Sequence, residues 1–216
     1  MTSTAYPTVR LSRDRAALVL VDHQVGLLLG VHDQDQENLR RNVIALAKMA
    51  AAYQLPVVLT TSADDGPNGA LLPELAAELP NVTVVRRPGE IDAFDNAEFA
   101  AAVQATGRDQ LIIAGISTDV CVAFAALSAV AAGYQVHAVL DASGTWSALA
   151  SQAAAHRMGN AGVVLNGTVA VGAELQSDWR HDGGQQLAEL YAGYAIPFYN
   201  SLISYAARNA QLAAQS

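Results

Sequence analysis

Short apolar runs recur along the chain and alternate with alanine-rich segments of helical periodicity. The runs are almost continuously apolar, which is typical of strands that are buried on both faces of a parallel sheet. They cover residues 16–21, 56–60, 82–85, 110–113, 135–140 and 162–165. Helical segments such as 37–53 and 119–132 lie between them, and this alternation predicts right-handed βαβ units. We therefore expect an α/β fold: a three-layer, doubly wound, Rossmann-like sandwich around a six-stranded parallel sheet.

The pattern changes after Leu165. Residues 169–175 and 186–214 have helical character, with a break near Pro197. This part contains six of the 13 aromatic residues of the chain: Trp179, Tyr191, Tyr194, Phe198, Tyr199 and Tyr205. We expect a single domain over 1–216, with a sheet core at about 16–165 and a C-terminal helical tail at about 166–216. The tail is expected to pack across the domain or against another subunit.

Composition and charge exclude several classes of protein. Hydrophobic residues make up 52% of the 216 residues and charged residues 15%, which excludes intrinsic disorder. The net charge is −8 and no basic run exceeds two residues, so neither nucleic acid nor a membrane is an expected partner. The first ten residues lack the apolar core of a secretory signal, and we expect a cytoplasmic protein.

Candidate chemistry lies where the predicted strands end. In an open parallel sheet, ligands bind beyond the carboxyl ends of the strands, at the point where the strand order reverses. Residues 22–24 follow the first run, the pair Arg86-Arg87 follows the third, and residues 115–121 follow the fourth. An acid, two arginines and the single cysteine are therefore expected along one edge of the sheet.

Cys121 lies early in its predicted helix if Ser117 or Thr118 is the N-cap residue. Free amide groups and the helix dipole at such a position lower the pKa of a thiol, so a reactive thiolate is one interpretation. The same amides could bind an oxyanion. A buried structural cysteine is the alternative. Asp22 also has two interpretations, since it could act as a base or cap a turn.

Several common catalytic motifs are missing from the sequence. It contains no G-x-G-x-x-G after the first strand, no G-x-x-x-x-G-K-[ST] and no G-x-S-x-G. A phosphatase-type C-x5-R would need arginine at position 127, which is Leu127. The five histidines have no metal-binding spacing, so we expect neither a metal nor another cofactor.

Four segments carry a resemblance to a known family. They are Ala17-Leu-Val-Leu-Val-Asp-His-Gln24, Arg87-Pro-Gly-Glu-Ile-Asp-Ala-Phe94, Ala114-Gly-Ile-Ser-Thr-Asp-Val-Cys-Val122 and Asp141-Ala-Ser-Gly144. The chain resembles the isochorismatase-like cysteine hydrolase superfamily, and within it the YcaC-type hydrolases. The resemblance extends from about Ala17 to Tyr205.

The resemblance implies a catalytic triad. Asp22 and Cys121 match its aspartate and cysteine, whereas Arg87 stands where the family has lysine. Arginine stays charged and cannot shuttle a proton. The resemblance also implies a cis peptide bond at Ile116–Ser117, and an oxyanion hole formed by the amides of Ser117 and Cys121.

Two functions follow as hypotheses. The first is a cysteine hydrolase that cleaves the C–N bond of a small amide, or a related acyl compound, through a thioester. Gln24, Phe94 and Trp146 would contact the substrate, although Phe94 and Trp146 could equally be ordinary core aromatics. The alternative is a catalytically weakened or non-catalytic homo-oligomeric protein that serves as a binding module or scaffold. In both cases we expect a homo-oligomer larger than a dimer, and the resemblance implies an octamer.

Overall fold

Six parallel strands form one sheet in the computed structural model, which describes residues 10–214. The strands are Ala16–Val21 (β1), Val57–Ser62 (β2), Val84–Arg87 (β3), Gln110–Gly115 (β4), Gln135–Val139 (β5) and Val164–Asn166 (β6). Their order is β3-β2-β1-β4-β5-β6, and each neighbouring pair is parallel. The predicted doubly wound α/β fold is confirmed.

The third strand lies two residues later than its apolar run predicts. Residues 82–85 were expected, but β3 covers Val84–Arg87 because Arg86 and Arg87 pair with Thr61 and Ser62 of β2. The polar end of the strand is therefore set by pairing with its neighbour, which the hydrophobic pattern of the sequence does not show. As a result, Arg87 ends the strand itself.

Helices cover both faces of the sheet. They are Val25–Leu29 (α1), Gln36–Ala52 (α2), Pro73–Glu78 (α3), Ala97–Ala105 (α4), Ala123–Ala131 (α5), Ala148–Asn160 (α6), Thr168–Gln176 (α7), Gly184–Leu190 (α8) and Tyr199–Ala213 (α9). The helix predicted over 119–132 is divided, because Thr118–Val122 forms a turn of π-helix before α5 begins. Among residues 10–214, no helix combines the length and the apolar character needed to cross a membrane.

Two apolar cores lie on opposite faces of the sheet, as the period-two geometry of a strand requires. In β1, Leu18 and Leu20 face the core that α2, α3, α7 and α8 cover. Val19 and Val21 face the other core, which α4, α5 and α6 cover. The sheet is therefore the middle layer of three, and β1 is buried along its whole length.

The strand order reverses between β1 and β4. From β1 the chain continues through β2 to β3 in one direction, and β4, β5 and β6 extend the sheet in the other. At this reversal Gly115 pairs with Val21, and a Cβ atom at position 115 would lie 2.2 Å from the carbonyl oxygen of Val21. Glycine at 115 thus allows the two strand ends to approach closely, beside the predicted site.

The C-terminal tail has two parts with different environments. The first part, through α8 and the π-helical turn Tyr191–Ala195, packs on the domain, and Tyr191 is buried there. Rings of Trp179, Tyr191 and Tyr199 pack on one another, with centroids 6.0 to 6.4 Å apart. Beyond this cluster, α9 buries none of its own residues. The predicted break is also present, since residues 196–198 separate the π-helical turn from α9.

Candidate active site

Asp22 lies directly after β1 with no exposed surface. Its backbone has a positive φ of 57°, and its amide donates to the carbonyl of Thr60 on β2. One terminal nitrogen of Arg87 contacts both carboxylate oxygens of Asp22, each at 2.5 Å. The two side chains form an ion pair that is entirely shielded from solvent.

The guanidinium of Arg87 is held by other partners as well. Its Nε donates to the hydroxyl of Thr60 at 3.0 Å, and its second terminal nitrogen donates to the carbonyl of Glu90. The Thr60 hydroxyl in turn donates to the Val85 carbonyl at 2.7 Å. All three nitrogens of Arg87 are therefore engaged by protein groups. Thr60 is a member of this network that the sequence did not single out.

Cys121 lies on the π-helical turn Thr118–Val122 that follows β4, and its side chain is partly buried. Its thiol and the carboxylate of Asp22 line the same cavity, and the two groups interact closely enough to shift each other's pKa. Three strand ends, those of β1, β3 and β4, thus bring together the three predicted triad residues. The convergence of Asp22, Arg87 and Cys121 follows from the strand-end rule for parallel sheets.

The protonation state of Cys121 differs from the expectation. Burial, and then the negative charge and hydrogen bond of Asp22, raise the pKa of Cys121 to about 12. A backbone hydrogen bond involving Ser117 and the charge of Arg87 act in the opposite direction but are weaker. The prediction of a lowered thiol pKa is therefore wrong. The helix terminus is present, but desolvation and an adjacent carboxylate outweigh it.

Asp22 is the natural acceptor for the thiol proton. Burial raises the pKa of the Asp22 carboxyl, and the charge of Arg87 and hydrogen bonds from Arg87 and Cys121 oppose this rise. A carboxylate with a raised pKa binds a proton more strongly and is a better base. At rest a neutral thiol thus lies beside the carboxyl group that can accept its proton.

Backbone amides flank the thiol on the same turn. The Ile116–Ser117 peptide bond is cis, as the family resemblance implies, and Ser117 precedes the π-helical turn. The amide of Thr118 donates to Gly144, and that of Val122 donates to Ser117. The amide of Cys121 lies between these two along the chain, and that of Ser117 directly precedes them. The oxyanion hole assigned to Ser117 and Cys121 stays a prediction.

A cavity of about 230 Å³ opens above the thiol. Its lining residues come from five loops and turns at the carboxyl edge of the sheet; they are Asp22, Leu27, Ser62, Asn68, Ile91, Ser117, Val120, Cys121 and Trp146. A larger concavity of about 630 Å³ lies between residues 11–14 and 174–182. Residues 11–14 precede β1, so that concavity is at the amino edge, and it contains none of the triad.

The three predicted substrate contacts have different positions. Trp146 lines the cavity, with 44% of its surface exposed, and its ring lies close to Gly30. Gln24 does not line it: its buried amide donates to the carbonyls of Ser62 and Gly69 and accepts from the Ser62 amide. Gln24 therefore holds the loop after β2 in place, and its contact with a substrate stays a prediction.

Phe94 also lies outside the cavity lining. Its ring packs edge-on against Phe99, with centroids 5.3 Å apart, and lies 6.5 Å from Tyr134. It belongs to the apolar core beneath α4 and α5, which agrees with the alternative interpretation of an ordinary core aromatic. The cavity wall in this part of the chain is instead Ile91, three residues earlier.

Five lining residues were not identified as substrate contacts from the sequence: Leu27, Ser62, Asn68, Ile91 and Val120. Val120 directly precedes Cys121, so the post-strand rule could have found it. Asn68 and Ile91 lie in loops without a periodic pattern, where the sequence carries no comparable signal. Within residues 10–214, no group of three or more His, Cys, Asp or Glu side chains could hold a metal ion.

Comparison with known proteins shows the family of the chain. A model of the isochorismatase domain matches residues 16–168. The chain belongs to the isochorismatase family. The match begins at β1 and ends at the start of α7, so it contains all three triad positions. The resemblance inferred from the sequence motifs is confirmed.

Relatives within the family refine the assignment. The probable hydrolase YcaC of Escherichia coli is 46% identical over 199 residues, covering 92% of this chain and 95% of the relative. The crystal structure of the E. coli YcaC gene product, an octameric hydrolase of unknown specificity, has a TM-score of 0.90 at 47% identity and covers 94% and 98% of the two chains. This family member is thus an isochorismatase-like hydrolase.

A second solved structure is equally similar. YcaC from Pseudomonas aeruginosa, with hexane-2,5-diol and covalent acrylamide, has a TM-score of 0.90 at 46% identity. The alignment covers 93% of this chain and 98% of that protein.

We predict that Asp22→Asn lowers the pKa of Cys121 by at least about one unit. The substitution removes the negative charge that raises the thiol pKa and keeps an oxygen that accepts from Arg87. The rate of alkylation by iodoacetamide, followed between pH 6 and 11, measures the change. Asp64→Asn is the control, since Asp64 pairs with Arg86 outside the cavity. If the pH dependence of the alkylation rate is unchanged, or shifts to higher pH, the assigned thiol–carboxylate contact is contradicted.

Proposed function

We propose that this isochorismatase-family hydrolase cleaves small amides or related acyl compounds through a thioester on Cys121. The observation that carries the proposal is the position of the Cys121 thiol beside the carboxylate of Asp22 in one cavity, where Arg87 holds that carboxylate in place. A nucleophile, a base within hydrogen-bond reach and a group that orients the base are the elements of covalent acyl transfer. The cavity above them is open to a small substrate.

Acylation begins when the substrate carbonyl lies above the thiol. Asp22 takes the thiol proton as the sulfur of Cys121 attacks the carbonyl carbon, and the carbonyl π electrons move onto oxygen. The tetrahedral intermediate then collapses, the C–N bond breaks, and the departing amine takes the proton from Asp22. The raised pKa of Asp22 suits both steps, because the same carboxyl accepts the proton and then returns it.

The amides of Ser117 and Cys121 would stabilise the oxyanion. Backbone N–H groups at the start of a helical turn are fixed in direction, so they need no reorganisation when charge develops. One such donor contributes on the order of 10²- to 10³-fold in rate.

Deacylation regenerates the enzyme. A water molecule attacks the thioester carbon while Asp22 accepts one of its protons. The C–S bond breaks, the carboxylic acid is released, and the thiolate of Cys121 recovers its proton from Asp22. Water and amide are consumed, and acid and amine are formed.

Arg87 acts by charge and geometry. Its hydrogen bonds to Asp22, Thr60 and Glu90 fix the carboxylate, and its guanidinium cannot release a proton at physiological pH. It is a positioning residue in this scheme, whereas Asp22 moves every proton.

Small electrophiles suit this site. The P. aeruginosa relative carries covalent acrylamide, and we propose that the thiol of this chain reacts with comparably small acyl compounds. The size of the cavity supports the proposal, because about 230 Å³ lies below the 300–1,000 Å³ of a drug-sized site.

We also propose that the protein is a homo-oligomer, and an octamer like its E. coli relative. A helix of 15 residues in water is only marginally stable by itself, yet α9 buries none of its residues within one chain. Phe198, Leu202, Tyr205 and Leu212 recur at spacings of three, four and seven residues and are 49–68% exposed. This spacing places them on one apolar stripe, which a second copy of the chain would cover.

Replacement of the nucleophile tests the proposed reaction. We predict that Cys121→Ala lowers kcat/KM for amides such as butyramide by at least about 10³-fold, because no other thiol exists in the chain. The far-ultraviolet circular dichroism spectrum should be unchanged, since a partly buried Cys-to-Ala change removes few contacts. Ammonia release is the assay, and undiminished turnover in the variant would disprove the mechanism.

Substitution of Arg87 tests its electrostatic role. Arg87→Lys should retain measurable activity because a positive charge remains beside Asp22. Arg87→Ala should lose at least about tenfold more activity than Arg87→Lys. It should also raise the pKa of Cys121, since the charge of Arg87 lowers that pKa. Arg86→Ala is the matched control, because this neighbour is exposed and pairs with Asp64. If alanine at 87 left both turnover and thiol reactivity unchanged, Arg87 would have no part in the site.

Light scattering tests the assembly. An octamer has a mass of about 180 kDa, eight times the 22.5 kDa of one chain. Leu202→Asp should lower the mass, because it places a charge in the apolar stripe of α9. Leu149→Asp should not, since Leu149 is 77% exposed on α6, away from this stripe. A monodisperse species of about 22.5 kDa from the unmodified chain would refute the proposal.

A further inference from the structure

We propose that the site selects neutral acyl compounds with a short apolar acyl group, and that it rejects compounds carrying a carboxylate near the scissile carbonyl. This inference rests on the proposed function, because it names the substrate class of the same site. Three properties of the cavity above Cys121 support it: its charge, the chemistry of its walls and its size.

The cavity contains no positive charge. In the part of the chain that the structure describes, none of its lining residues is a lysine, arginine or histidine. The ionisable side chains that line it are Asp22 and Cys121. A carboxylate that entered would therefore meet another carboxylate, whose cation Arg87 is already paired, and no cation in the lining to bind it.

The nearest cation cannot serve as an anion partner. Arg87 has no exposed side-chain surface, it does not line the cavity, and its three nitrogens are engaged by Asp22, Thr60 and Glu90. The adjacent His23 is fully buried, contacts the Ala142 carbonyl through Nε2, and has a pKa lowered to about 4 by burial. It is neutral at physiological pH and also lies outside the lining.

The walls favour an apolar acyl group. Leu27, Ile91, Val120 and Trp146 supply apolar surface around the thiol. The remaining polar side chains are uncharged, and one of them, Asn68, donates to the Ser62 carbonyl at 2.8 Å. An alkyl chain would be desolvated here at no electrostatic cost, whereas an anion would lose its hydration without a partner.

Size sets the upper limit. One water molecule occupies about 30 Å³ in the liquid, so a cavity of about 230 Å³ has room for roughly eight non-hydrogen atoms. Butyramide, with six such atoms, fits this limit. Succinamate has the same chain length with a terminal carboxylate, and it is the matched anionic compound.

Thiol alkylation tests charge selection independently of turnover. Iodoacetamide and iodoacetate have nearly the same size and differ by one negative charge. In both reactions the sulfur of Cys121 forms a bond to the methylene carbon, the C–I bond breaks, iodide leaves, and the thiol proton passes to Asp22 or solvent. Cys121 is the single thiol in the chain, so the incorporated mass reports this site alone.

The measured quantity is the ratio of the two second-order rate constants for the intact protein, divided by the same ratio for glutathione. We expect a preference for iodoacetamide of at least about tenfold after this correction. A smaller preference, or a preference for iodoacetate, would overturn the inference, because it would reveal a cation that reaches the thiol.

A charge introduced at the rim provides the matched control. Ile91 lines the cavity and is 59% exposed, so Ile91→Lys should fold and should reduce the preference for iodoacetamide at least about threefold. Leu149→Lys adds the same charge on α6, outside the lining, and should leave the preference unchanged. Equal effects of the two lysines would mean that overall protein charge causes the selectivity, which would contradict selection by the cavity.

Turnover separates this inference from the proposed hydrolase activity. If butyramide is hydrolysed and succinamate is not, the hydrolase proposal and charge selection are both supported. If neither is hydrolysed while alkylation favours the neutral reagent, the hydrolase proposal fails and charge selection stands. Hydrolysis of succinamate as fast as butyramide would keep the hydrolase and overturn the selection.

Discussion

The buried ion pair between Asp22 and Arg87 is the constraint on which the rest of the site depends. Removing two charges from water costs several kcal/mol per ion, and good geometry with further hydrogen bonds is needed to offset this cost. Here the guanidinium contacts both carboxylate oxygens, the Thr60 hydroxyl and the Glu90 carbonyl. Because these groups come from the ends of β1, β2 and β3 and the loop after β3, one pair of charges fixes that edge of the sheet.

The same pair determines the chemistry of the thiol. Asp22 is paired with Arg87 and lies beside Cys121, and burial together with the charge of Asp22 keeps the thiol protonated at rest. In the proposed mechanism, nucleophilic attack is coupled to proton transfer, which would limit unproductive oxidation or alkylation of a free thiolate. Because Arg87 is paired with Asp22, the cavity has apolar walls and no cation in its lining. In our proposal, charge balance inside the fold and selection of substrate by the cavity therefore have one cause.

Sequence reasoning recovered the architecture because continuous apolar runs are a strong signal for buried parallel strands. It also brought Asp22, Arg87 and Cys121 together, since strand ends in such a sheet share one edge. It misjudged the thiol pKa, because the helix terminus is visible in the sequence whereas the depth of burial is not. Gln24 and Phe94 were assigned to the substrate by their neighbourhood in the chain, but side-chain direction after a strand depends on loop geometry. Ile91 and Asn68 lie in such loops, where the sequence has no periodic pattern from which their positions could be predicted.

A common thioester on Cys121 is the central claim, and partitioning with hydroxylamine tests it most directly. Butyramide, N-methylbutyramide and ethyl butyrate would be hydrolysed in the presence of hydroxylamine, and the ratio of butyrohydroxamate to butyric acid measured for each. We predict the same ratio for all three, because water and hydroxylamine compete for one butyryl-Cys121 intermediate after the leaving group has departed. A ratio that changes with the leaving group would contradict the thioester, since water would then attack the bound substrate itself.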